Sequence, residues 1–181
     1  SAAVTVSKQH IKSGKIHAVV VNSGNANACT GRQGFKDAVS MCTKTTDELK
    51  VDPHKVLVAS TGIIDKELPM NKITGGIASA MSKLGDSAAA GARFARARMT
   101  TDTKCKHVIS KIKITGKEVT IAATAKGAGM IGPDTATTIC VIATDIAISK
   151  PLLAKALKNA IGLALNKLTV DGHQSTNDTA I

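Results

Sequence analysis

Apolar residues recur along this chain with two different periods, and the order in which those periods alternate limits the fold more than any single motif. Short apolar runs at 17–22 (HAVVVN) and 55–60 (KVLVAS) have the length of buried strands, the second ending in Thr61-Gly62. A polar, Gly- and Asn-rich stretch, 23–34, reads as a loop. Beyond it Phe35, Ala38, Val39, Cys42 and Leu49 recur near helical spacing. Pro69 suits a helix start, with Ile73, Ile77, Ala80, Met81 and Leu84 on one face. Residues 87–99, rich in Ala and bearing Arg, read as a second helix. The alternating runs 107–114 and 118–124, joined through Thr115-Gly116-Lys117, predict a hairpin. A β-branched run at 137–148 predicts another strand. A helix from about Lys150 to Asn166 follows, with Leu153, Leu157, Ala160, Ile161 and Ala164 on its apolar face. Strands, then helices, then strands again describe an α/β fold, a mixed sheet layered with helices, in a single domain over 1–181.

The core of such a fold must be aliphatic here, because the 181 residues include two Phe and neither Trp nor Tyr. Without aromatic platforms, recognition of nucleic acid by base stacking has nothing to stack on. The formal net charge of +11 is spread along the chain. Its densest stretch, around Lys104, Lys106, Lys111, Lys113 and Lys117, reads as the solvent face of the hairpin, so no nucleic-acid partner is expected. Cys29, Cys42, Cys105 and Cys140 form no Cys-x-x-Cys pair, and the five histidines have no metal-ligand spacing. Reduced, mostly buried thiols in an intracellular compartment follow, Cys140 being a core residue, and no metal is expected. No run approaches the roughly 18 to 20 apolar residues of a membrane span. The start at Ser1 carries no charged-then-apolar signal and reads as trimmed or as the edge of a fragment.

Gly127-Ala128-Gly129-Met130-Ile131-Gly132 formally fits G-x-G-x-x-G. A dinucleotide site needs that turn to open a helix and an acidic residue about 20 positions on; here Pro133-Asp134 and a strand follow. The glycines are better explained by close passage of backbone. Ser60-Thr61-Gly62 and Asp171-Gly172-His173 each read as turns, and Thr137 by itself is an ordinary strand residue.

Five blocks taken together are more specific. They are Asn22-Ser23-Gly24-Asn25-Ala26-Asn27-Ala28-Cys29-Thr30-Gly31, Ala59-Ser60-Thr61-Gly62 through Leu68-Pro69-Met70, Met99-Thr100-Thr101-Asp102-Thr103, Lys126 through Ile131 leading to Ala136-Thr137, and Val170-Asp171-Gly172 with Ser175-Thr176-Asn177-Asp178-Thr179. In this order they resemble the ornithine acetyltransferase, or glutamate N-acetyltransferase, family. The resemblance implies an αββα-type sandwich and a precursor that cuts itself between Ala136 and Thr137. Residues 1–136 would form the alpha part, and 137–181 the start of the beta part. It implies that Thr137 becomes the nucleophile, that Thr61 and Gly62 form the oxyanion hole, and that Thr103, Lys126 and Thr137 bind substrate. By the same token it implies ping-pong transfer of acetyl from N-acetylornithine to glutamate, no cofactor, and acetyl-CoA as an alternative donor in some members. Two alpha and two beta chains would associate, in the cytoplasm or, in a eukaryote, the mitochondrial matrix. The family's chains are longer than this one, so 1–181 reads as a fragment of that length. The family usually has Asn-Met where this chain has Asp134-Thr135, Gly where it has Asp65, and Asp-Thr where it has His173-Gln174. Two other classes compete: a related N-terminal-nucleophile amidohydrolase or aminopeptidase, and an inactive basic binding paralogue.

Overall fold

The strand expected at 17–22 runs further than its apolar letters. In a computed structural model, which describes residues 1–132 and 138–181, strand β1 is Ala18–Asn25 and pairs in parallel with β2, Val56–Ile63. Polar Ser23, Gly24 and Asn25, expected in a loop, are strand residues opposite Thr61, Gly62 and Ile63. Two compact units emerge, Ser1–Thr100 and Thr101–Ile181.

In the first unit, helix α2, Gly31–Leu49, joins β1 to β2. Helices α3, Met70–Met81, and α4, Ala88–Ala97, follow, α4 opening where Ser87 Oγ accepts from the Ala90 N–H at 3.2 Å. Ala38, Met41 and Cys42 of α2 pack with Val56, Val58, Leu68 and Ile77 in an aliphatic core. An element absent from the sequence reading completes it: helix α1, Ala2–His10, contributes Ala3 and Val6. It also covers the free edge of β2. Ser7 Oγ donates to the Val58 carbonyl at 2.7 Å and accepts from the Val58 N–H at 2.8 Å, while His10 Nδ1 lies 2.8 Å from the Val56 carbonyl. Those two side chains supply what a neighbouring strand would, since an edge strand leaves backbone groups to be satisfied.

The second unit is a four-stranded sheet of order β3-β4-β5-β6. The hairpin β3, Lys106–Ile114, and β4, Lys117–Lys126, pairs Ile114 with Lys117. Its two-residue loop, Thr115 (φ 48°) and Gly116 (φ 82°), has positive φ at both positions, the type I′ geometry that suits strand twist. Strand β5, Ile139–Thr144, is antiparallel to β4 and parallel to the short β6, Thr179–Ala180. The strand expected over 137–148 is therefore shorter at its far end, and its first position lies outside the described residues. Helix α5, Lys150–Leu163, has Pro151 in its first turn and buries none of its residues. Leu153 of its apolar face is exposed, as are Val108 and Ile109 of β3.

Candidate functional site

The expected site residues fall at strand ends. In the first unit, Thr61 is buried and Gly62 exposed at the end of β2. Gly62 has φ 132°, and a Cβ there would stand 2.2 Å from the Gly24 carbonyl carbon. Only glycine meets both conditions, so β1 and β2 run backbone against backbone at this point. The Asn-rich segment that ends β1 and follows it is held by its own side chains. Asn22 Nδ2 donates to the Asn25 carbonyl, Asn25 Nδ2 to the Glu67 carbonyl and Asn27 Nδ2 to the Gly34 carbonyl, each at 2.8 Å, and Thr30 Oγ1 donates to Asn27 Oδ1 at 2.7 Å. Amides serve where a carboxylate would not, because the Nδ2 donates to a backbone carbonyl and an ionised carboxylate only accepts; Asn27 uses both ends of its amide. Asp65, where the family commonly has glycine, takes a left-handed φ of 58°, a conformation aspartate tolerates better than most residues. A cavity of about 880 Å³ faces β1, lined among others by Met41, Ile77, Phe94 and Arg98, and neither Thr61 nor Gly62 lines it.

In the second unit, Lys126 ends β4 and is buried, not the surface lysine that its place at a strand end would suggest. Thr103 is exposed. The residues beside them meet. Asp102, its side chain 1% exposed, accepts from the Gly127 N–H at 2.8 Å and from Lys106 Nζ at 2.6 Å, and the same ammonium donates to the Gly127 carbonyl at 3.0 Å. One ion pair thus brackets the peptide of Gly127 (φ 153°) and brings the Thr103 and Lys126 segments together.

The glycine run that follows opens no helix over 127–132; it is a loop gripped from downstream. Asp171 Oδ2 accepts from the Met130 N–H at 2.7 Å, and its Oδ1 from the Ile131 N–H at 3.0 Å and the His173 N–H at 3.2 Å. These amides, the Met130 N–H foremost, hold the Asp171 carboxyl below the usual carboxylate range. In return the Ile131 carbonyl accepts from the backbone N–H groups of Val170 and Gly172 and from Thr169 Oγ1. A Cβ on Gly132 would come within 2.8 Å of the Gly172 carbonyl oxygen. On the far side, Asp178 Oδ1 accepts from the Thr138 N–H at 3.0 Å and its Oδ2 from the Ser175 N–H at 3.3 Å. Ala136 and Thr137 lie outside the described residues. The sequence assigns no role to Asp102, Lys106, Asp171 or Asp178, although three of them stand in the five blocks; the backbone groups they hold at Gly127, Met130, Ile131 and Thr138 are too distant along the chain to be read.

The four cysteines are free: Cys42 and Cys140 are buried, Cys105 half-buried and Cys29 exposed. Burial pushes the Cys42 thiol up to about 12. Among the described residues no group of three potential metal ligands gathers, and no helix is long and apolar enough to cross a membrane.

Comparison with known proteins defines the class. The chain is 45% identical over 181 residues to the arginine biosynthesis bifunctional protein ArgJ of Caldanaerobacter subterraneus subsp. tengcongensis, covering 100% of this chain and 44% of that one. It is 44% identical over 179 residues to the glutamate N-acetyltransferase of Methanothermobacter thermautotrophicus, covering 98% of this chain and 44% of the relative. Its α/β fold is that of the ornithine acetyltransferase of Mycobacterium tuberculosis, solved with ornithine, at a TM-score of 0.64 and 32% identity over 74% of this chain and 70% of the other. The pattern of the ArgJ family matches residues 1–181, and the chain belongs to that family. It spans less than half the length of the curated relatives just described.

Proposed function

We propose that this chain carries the nucleophile-bearing part of an arginine-biosynthesis acetyltransferase, and that the acetyl group passes from N-acetylornithine to glutamate through Thr137. The observation that carries the reading is the family match over residues 1–181, with relatives named for arginine biosynthesis and glutamate N-acetyl transfer.

The chemistry begins with the Ala136–Thr137 peptide. The Thr137 hydroxyl adds to the Ala136 carbonyl, the C–N bond breaks, and the hydroxyl proton passes to the departing nitrogen. Water then hydrolyses the ester, freeing the Ala136 carboxylate and the Thr137 hydroxyl. The new α-amine, of pKa about 7.7–8.0 for such groups, accepts the proton of its own hydroxyl near neutral pH. That hydroxyl attacks the acetyl carbonyl of N-acetylornithine, ornithine leaves as the amine, and the glutamate amine takes the acetyl from the ester.

Thr61 and Gly62 are the proposed oxyanion donors. A buried threonine beside a glycine fixed in place by close backbone packing suits that role, which rewards donors that need not reorganise. Lys126 and Thr103 are the proposed substrate-binding residues; a buried lysine is a suitable partner for an amino-acid carboxylate. The reading asks for no cofactor, admits acetyl-CoA as a second donor, and expects the two cleaved chains to associate as two alpha and two beta chains in the cytoplasm. Incubating the full-length protein with N-acetylornithine should add one acetyl group to the chain beginning at Thr137, and glutamate should remove it. Protein that stays unacetylated, or releases its acetyl only to water, would count against transfer to glutamate.

A further inference from the structure

We propose that Asp171 and Asp178 are positioning residues that hold the two flanks of the processing segment, and that of the two carboxylates Asp171 is the one that ties the two chains together beside the break; the proposal rests on the reading of Ala136–Thr137 as the cleaved bond. Both carboxylates come from the far side of that bond in sequence, yet they grip opposite flanks of it. Asp171 takes the amides of Met130 and Ile131, six and five positions before Ala136; Asp178 takes the amide of Thr138, the residue after Thr137.

Neither contact is an isolated surface bond. Met130 is held at φ 53°, a left-handed conformation that a long side chain adopts only under constraint. Three N–H groups converge on Asp171, while Val170, Gly172 and Thr169 enclose the Ile131 carbonyl, so each loop satisfies the other. Asp178 divides its two oxygens between Thr138 and Ser175, and Thr138 in turn accepts from the Thr179 N–H at 3.0 Å. A peptide bent for attack by the next residue's hydroxyl needs both flanks fixed, because small displacements of reacting atoms cost rate steeply.

After cleavage the two carboxylates part company. Asp178 and Thr138 remain in one chain, so that bond goes on orienting the new N-terminus. Asp171 then belongs to the chain starting at Thr137, whereas Met130 and Ile131 belong to the other. Its bonds to those two amides become a link between chains, five positions before the freed C-terminus in the case of Ile131.

An amide is the discriminating substitution. In D171N or D178N one oxygen that accepts a backbone N–H becomes an NH₂ facing that donor, at nearly constant size. Purified full-length precursor is followed by intact mass, with hydroxylamine added to trap the ester formed by the acyl shift. Both variants should cleave about 10- to 100-fold more slowly and yield less hydroxylamine-trapped product while keeping the wild-type thermal midpoint. In the cleaved proteins, D171N should speed hydrogen exchange at Met130 and Ile131, and D178N should leave those amides protected. Should D171N fail to fold, T169V removes one bond to the Ile131 carbonyl and should slow cleavage several-fold. Folded variants that cleave at the wild-type rate, or a D171N whose 130–131 amides stay protected, overturn the proposal alone. A wild-type precursor that never cleaves overturns the reading beneath it, and the proposal with it.

Discussion

Glycine 62 carries two constraints at once, and either would exclude another residue. Its φ of 132° lies outside what L side chains adopt, and its Cβ would meet the Gly24 backbone. G62A should therefore lose at least about 1–3 kcal/mol from backbone strain, measured by urea denaturation, with further loss from the clash. Asp171 offers a test by pH. Its folded-state pKa is lowered by the Met130, His173 and Ile131 amides, so its contribution is complete above the unfolded value of about 3.9 and is lost as pH falls through the lower folded value. A carboxyl-carbon NMR titration should show its midpoint below 3.9, with the Met130 amide shifting in the same step. A midpoint at or above that value would mean the clamp is not made in solution.

Element by element, what the sequence showed and what it hid have a common cause. The hairpin was legible because alternation and a Thr-Gly link are local signals, helices α2, α3 and α5 because apolar residues recur on one face, and α4 from its Ala-rich composition. Helix α1 was not, since two of its four buried residues are Ser7 and His10, which periodicity in apolar residues cannot register. They are buried because they bond to the edge of β2. Likewise the polar end of β1 looked like loop, and its strand character comes from pairing with residues nearly 40 positions away. S7A tests this account: it strands the Val58 N–H and carbonyl in a buried strand and should cost about 1–3 kcal/mol by thermal or urea denaturation. A neutral S7A would mean that α1 covers β2 by apolar packing alone.

At the scale of the whole chain, the candidate site was suggested only by the five ordered blocks. Composition and spacing left Thr61 in a turn and Thr137 in a strand. The structure adds what those blocks could not contain: a glycine with no room for a side chain, an ion pair bracketing Gly127, and two carboxylates gripping either flank of the segment that holds Thr137. These supports lie between residues 21 to 41 positions apart, so no local pattern announces them. The basic balance of +11 is compatible with carboxylate-bearing substrates and needs no nucleic-acid partner to explain it. Everything in the proposed chemistry turns on Thr137 becoming an N-terminus. Intact mass and N-terminal sequencing of the full-length protein, beside T137A, test that most directly. The wild type should separate into two chains, one beginning at Thr137, and T137A should remain whole; a wild type that stays in one piece, or a T137A cut at the same bond, would contradict the account.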